Sequence, residues 1–156
     1  MTDGVSADVS DRYQCSLRIF RQDDPEHRLV RAALDELAMR GVETCFALQN
    51  IAEFWNVCTR PLRRNGYGLS ISDTNLCIES IERTMTYLPD TEDVYSIWRR
   101  LVIVYEVRGV QLHDARLAAL MQVHGLTRIL TLNQVDFLRY VNLQAIHPRQ
   151  VLPSLR

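Results

Sequence analysis

The chain predicts an α/β layered domain with a central parallel sheet flanked by helices, and three observations carry that expectation. Short apolar runs, "ETCFALQ", "TRILTLN" and "NLQAIHP", have the length of buried strands. Longer segments between and around them repeat their apolar residues at helical spacing. Strand-like and helix-like segments alternate, which is the pattern of a parallel sheet with crossover helices. At 156 residues the chain suffices for one domain with a real core.

Taken in order, Asp23-Asp24-Pro25-Glu26 reads as a helix start, with proline at an early position and acids in the first turn. From His27 to Arg40 the apolar residues Leu29, Val30, Ala33, Leu34 and Leu37 share one helical face, and Gly41 is placed to end it. After "ETCFALQ", Asn50 is an N-cap or first-turn residue for "IAEFWNVCTR". "RRNGYGLS" is turn chemistry, and Ser70 or Ser72 caps a helix running to about Thr84. Pro89-Asp90-Thr91 opens the strongly periodic "EDVYSIWRRLVIVYEVRG", which Gly109 should end. "QLHDARLAALMQVHG" is a further helix, ended by Gly125. "NQVDFLRY" is a turn or short helix, and the segment from Arg149 onward is expected to be a loose tail.

Composition bounds the function classes. A net charge near −1 supplies no global basic field for bulk nucleic-acid binding, though it leaves a local site open. The chain has no lysine; every basic side chain is arginine, which a GC-rich genome accounts for without any functional role. The cysteines at 15, 45, 58 and 77 lack the close spacing of a zinc knuckle, and Cys45 and Cys58 read as small buried hydrophobes. The first 15 residues contain no apolar stretch of the signal-peptide kind, and no window is apolar for the length of a bilayer. A reduced, cytoplasmic protein is the expectation.

Ligand sites in open α/β sheets lie outside the carboxyl ends of the strands. Glu53 follows "ETCFALQ", Asn133 and Asp136 follow "RILTL", and Asp114 opens the helix from His113. Three carboxylates from distant parts of the chain are therefore expected at one edge of one sheet. Converging like charges repel, and a divalent cation with carboxylate and water ligands offsets that repulsion. Mg²⁺ or Mn²⁺ in such a place activates water and steadies charge on a phosphoryl oxygen, which suits phosphodiester hydrolysis. Each acid alone also has a plainer role: Glu53 and Asp114 suit helix N-terminal dipoles, and Asp136 suits a cap.

The segments "QNIAEFWNVCTRP" with "NGYGLS", then "VRGVQLHDARLAALMQVHGLTRILTLNQVDF", then "AIHP" resemble the PIN-domain family, and within it the VapC-like toxin ribonucleases. The resemblance spans roughly Leu17 to Pro148, so residues 17–148 form the expected PIN-like domain and 149–156 its tail. It implies a three-layer α/β fold, an acidic pocket for Mg²⁺ or Mn²⁺, and cleavage of RNA by a metal-activated water. Glu53, Asp114 and Asp136 match the family's second, third and fourth acids and are the expected catalytic and metal-binding residues. In "T-x-N-x-x-D-F", here Thr131 to Phe137, Thr131 and Asn133 would orient the last acid and its water. A small antitoxin protein covering the pocket, and a homodimer, are the implied partners. Phe54, Trp55 and Trp98 are expected in the core, and Arg60, Arg64 and Arg116 on a solvated face rather than on phosphates.

The family's first motif, an apolar strand ending in an acid, should fall within "VSDRYQCSLRIF". Aligned without gaps, Arg12 holds the acid's place, and Asp11 is one residue early, which in a strand turns its side chain to the opposite face. Residues 1–16 are thus a degenerate N-terminal segment. Ser10 to Ser16 can nevertheless be encoded so that the same bases, read one position later, spell Leu-Ile-Asp-Thr-Asn-Val-Leu, the missing motif. That encoding uses CGA for Arg12 and CAA for Gln14. Two functions remain: a divalent-metal-dependent endoribonuclease toxin, or a catalytically inactive PIN-like module that binds antitoxin or RNA. A metal-dependent DNA nuclease of the flap type is a weaker third.

Overall fold

The computed structural model describes residues 13–15 and 25–153. The expectations on Asp11 and Arg12, and the boundary after residue 16, lie outside the described residues. Five short strands, β1 (Tyr13–Cys15), β2 (Thr44–Ala47), β3 (Thr86–Leu88), β4 (Arg128–Leu130) and β5 (Gln144–Ile146), form one sheet in the order β3-β2-β1-β4-β5. Every pairing is parallel. Between them run α1 (Pro25–Met39), α2 (Leu48–Thr59), α3 (Ile71–Thr84), α4 (Glu92–Val104) and α5 (Leu112–Val123), with a last turn, α6 (Pro148–Val151). The expected α/β class with a central parallel sheet is the fold observed.

The strand sequences explain the layers. β2 is buried at all four positions, as a strand covered on both faces must be. Its successive side chains point to opposite faces: Cys45 and Ala47 join one core, Phe46 the other. Ile129 and Leu130 of β4 divide in the same way. The first core holds α5, the inner side of α4, Phe137 and Tyr140; the second holds Ala33, Leu37, Phe54, Cys58, Ile78 and Ile81 from α1, α2 and α3. α5 is rich in alanine and buried at Ala115 and from Leu117 to Met121, because it is sandwiched between the sheet and α4.

Helix ends follow local chemistry. Ser70, one of the two serines expected as a cap, takes the role: its Oγ accepts from the Asp73 backbone N–H at 3.0 Å. Asn50 lies in the first turn of α2, where its Oδ1 accepts the Ala47 backbone N–H at 2.7 Å, the reverse half of a capping box. Gly41 and Gly125 end α1 and α5 at positive φ, as expected.

Three expectations need correction. The helix from Glu92 stops at Val104, not at Gly109: Glu106 itself adopts φ 49°, and the Val107 N–H closes back on the Val102 carbonyl. Packing of Val107 into the core forces that turn ahead of the glycine. β3 was not foreseen; it is three residues at the sheet edge with only Leu88 buried, too short for a periodic signal. Residues 149–153, the described part of the expected tail, are not loose: α6 buries Val151, and Arg40 Nη2 donates to the Val151 carbonyl at 2.8 Å. Among the described residues, no helix is long and apolar enough to cross a membrane.

Candidate functional site

The carboxyl ends of β2 and β4 flank that of the central strand β1, and the candidate acids follow these ends in the chain or lie on the helix tied to them. Glu53 rises from the second turn of α2, which follows β2 without a loop. It is half-buried, and its Oε1 accepts a hydrogen bond from Gln49 Nε2 at 3.0 Å. The same amide nitrogen donates its second hydrogen to the His113 carbonyl at 2.9 Å. His113 directly precedes Asp114, a half-buried residue in the first turn of α5. One side chain therefore ties two acid-bearing helices, through residues 64 apart in the chain.

Asp136 sits in the 3-10 turn Gln134–Phe137 that follows β4. Asn133 Nδ2 donates to its Oδ2 at 2.7 Å, and the Asn133 backbone N–H donates to Thr131 Oγ1 at 3.2 Å. Thr131 is buried and continues the β4–β5 ladder through a bond to the Ile146 carbonyl. The three residues thus form a short polar relay from the sheet to the acid. Phe137, next to Asp136, anchors the turn in the first core.

Tyr140 is buried, and its hydroxyl has no hydrogen-bond partner among the described residues. Burial raises its pKa to about 12; Arg139 opposes that shift, and the negative charge of Asp114 and the neighbouring Tyr105 add to it. Arg139 is occupied with Gln111, donating from Nη2 to Oε1 at 2.8 Å. Cys58, deep in the second core, is likewise pushed up to about 11 by burial and by Cys77 nearby.

The structure links Asn133 to Asp136 and Glu53 to the peptide before Asp114. Among the described residues, no three His, Cys, Asp or Glu side chains gather closely enough to share one ion. No acid stands among the described residues of β1, Tyr13, Gln14 and Cys15. Gln49 was missed by sequence reasoning; its signal was its place one turn before Glu53, the spacing that lets an amide reach a carboxylate on a helix. Of the arginines, Arg116 pairs with Asp90 at 2.7 Å, Arg60 donates to the Asn65 carbonyl, and Arg64 is exposed. Phe54 is buried, while Trp55 and Trp98 are partly buried against the two cores, as expected.

No protein-family model matches the sequence, and no curated protein does. Solved structures do match. VapBC-1 from nontypeable Haemophilus influenzae is similar at 14% identity with a TM-score of 0.62, over 88% of this chain and 98% of that one. VapBC2 from Rickettsia felis, solved bound to a DNA fragment from their promoter, is similar at 11% identity and TM-score 0.59, over 87% and 98%. FitAcB from Neisseria gonorrhoeae is similar at 16% identity and TM-score 0.58, over 88% and 98%. The chain shares its fold with these VapBC and FitAcB structures.

Proposed function

We propose that the chain is a divalent-metal-dependent endoribonuclease, the toxin half of a toxin–antitoxin pair. The observation that carries this reading is the Gln49 amide, which holds Glu53 against the peptide leading into Asp114 at the carboxyl edge of a VapC-like sheet. Carboxylates of this kind fit Mg²⁺ or Mn²⁺, because Mg²⁺ is commonly held by one or two carboxylates and keeps several waters. In this reading Glu53, Asp114 and Asp136 meet the cation directly or through its bound waters, since the three are too far apart to be direct ligands together. Such a cation supplies water activation and charge neutralisation on a phosphoryl oxygen. The protein's part is orientation: Gln49 fixes the rotamer of Glu53, and Thr131 and Asn133 fix that of Asp136.

A small antitoxin and a second copy of the chain are the proposed partners. Tyr95, Ile103 and Val104 are exposed on α4, and Leu138 and Val141 beyond Asp136, which is apolar surface suited to a protein partner. The test is cleavage of a structured RNA by the full chain with Mn²⁺. Cleavage that EDTA stops and Asp114→Asn abolishes is the expected result; DNA cut in preference to RNA would overturn the RNA assignment.

A second reading is favoured by β1, whose described residues carry no acid. In that reading the chain binds antitoxin or RNA without cleaving it. The two readings meet in the gene. Codons CGA for Arg12 and CAA for Gln14, with a base missing near Leu17, would restore the first acidic motif and the nuclease. AGA at Arg12 would read the same way, since ATA and ATC both give isoleucine; any further codon at either position removes the frame explanation, leaving the chain as written, and failure to cleave RNA would then favour the binding module.

A further inference from the structure

The first half of α4 carries an aromatic pair at the surface. Trp98 is partly buried against the first core, and its Nε1 donates to the Leu112 carbonyl at 3.2 Å. Tyr95, one turn before it, keeps 66% of its surface exposed. The ring centroids are 6.3 Å apart at an interplanar angle of 34°. Residues three apart on a helix are neighbours, so the anchored indole backs the exposed phenol ring. With Thr91, Val94, Asp90 and Arg116, the pair lines an open cleft of about 360 Å³.

The cleft is joined to the acids through the start of α5. Leu112, which accepts from Trp98, and His113, which accepts from Gln49, are the two residues before Asp114. The charges around Tyr95 suit a nucleic-acid strand. Tyr95 also walls a second hollow, lined by the exposed Arg99 and Arg100. In the cleft itself, Arg116 Nη2 donates to Asp90 Oδ2 at 2.7 Å, and both side chains are partly exposed. That bond uses one of the guanidinium's donors and part of the carboxylate's acceptor capacity, so the pair still presents both kinds of group.

We propose that Tyr95 is a stacking platform for one unstacked nucleobase of the RNA. The Asp90–Arg116 pair meets the edge of that base, and Arg99 and Arg100 meet the flanking phosphates. The inference rests on the RNA-cleaving reading above and deepens it, by placing the strand beside the turn that carries Asp114. Every base has a π face, so an aromatic platform accepts any of them, while arginine–phosphate contacts add affinity that falls with salt. Trp98 is the backing of this platform and not its face, since its indole is committed to the core and to Leu112.

The experiment is fluorescence anisotropy of a short labelled single-stranded RNA on the full chain in EDTA, which stops metal-dependent cleavage. Tyr95→Leu, Tyr95→Phe and Arg99→Gln are compared with wild type, and the mass of each free protein is read by sedimentation. Tyr95→Leu keeps apolar bulk without a π face and is expected to weaken binding about tenfold, at unchanged mass. Tyr95→Phe keeps the ring and should stay within about twofold of wild type. Arg99→Gln should lower the slope of log affinity against log salt by about one. Affinity within about twofold of wild type in Tyr95→Leu would overturn the inference. A loss of affinity that comes with a fall in mass would overturn it too, and would assign Tyr95 to contact between copies of the chain. A wild-type chain that does not bind the RNA overturns this inference whether or not it cleaves; absence of cleavage with Mn²⁺ as well overturns the ribonuclease reading with it.

Discussion

Glu53 and Asp136 are held in opposite ways. Glu53 is fixed by a buried glutamine whose other bond crosses to a helix 64 residues away. Asp136 is fixed by Asn133, three residues back in its own turn. The first tether exists only when α2 and α5 are docked; the second needs little more than the local turn. The setting of Glu53 is therefore a product of tertiary packing, and that of Asp136 is written into a short segment.

The largest effect should come from removing the acids themselves. With Mn²⁺, Glu53→Gln and Asp136→Asn should each lower RNA cleavage by about 10²-fold or more, the scale of losing a group that acts on the reacting water. Asn133→Ala leaves Asp136 in place and should cost only about tenfold. Equal losses in all three, measured as initial rates, would erase the distinction between the acid and its local tether.

Alkaline unfolding sharpens the contrast at a group with no tether at all. Tyr140 titrates from 10.0 unfolded to about 12 folded, and Cys58 from 9.0 to about 11. Both folded values are raised, so the unfolded chain loses these protons first. The stability they contribute is complete below pH 9 and drains away as pH climbs from 9 to 12, at up to about 1.4 kcal/mol per pH unit for each group within its window. In Tyr140→Phe the slope between pH 10 and 12 should flatten, and stability at neutral pH should hold or rise, because an unpaired buried hydroxyl is removed. A clear loss of stability at pH 7 would mean that the hydroxyl has a partner.

Unfolding in urea then compares the two tethers directly. Gln49→Ala removes two bonds of a buried amide and should destabilise by about 2 kcal/mol, whereas Asn133→Ala, at an exposed site, should cost under about 1 kcal/mol. The reverse order would show that the local turn, not the helix docking, bears the site. The smallest effect has the opposite sign. Glu106 is a non-glycine residue at φ 49°, so Glu106→Gly should stabilise by about 1 kcal/mol, read as a higher urea midpoint.

What the sequence determined by itself is the part governed by neighbours a few residues apart. The helix over Pro25–Met39, its glycine stop, the Ser70 cap and the strands at 44–47, 128–130 and 144–146 all follow from spacing and turn chemistry. So does the Asn133–Asp136 pair, whose three-residue spacing is visible in "NQVD". Tertiary structure decided the rest. β3 exists because an edge beside β2 offers backbone partners to a segment too short to be periodic. α4 stops at Val104 and turns at Glu106 because Val107 must reach the core, a demand that outweighs the glycine two residues further on. Gln49 becomes part of the site only because α5 delivers the His113 carbonyl to it, since local spacing encodes which residues lie one turn apart but not which helices meet.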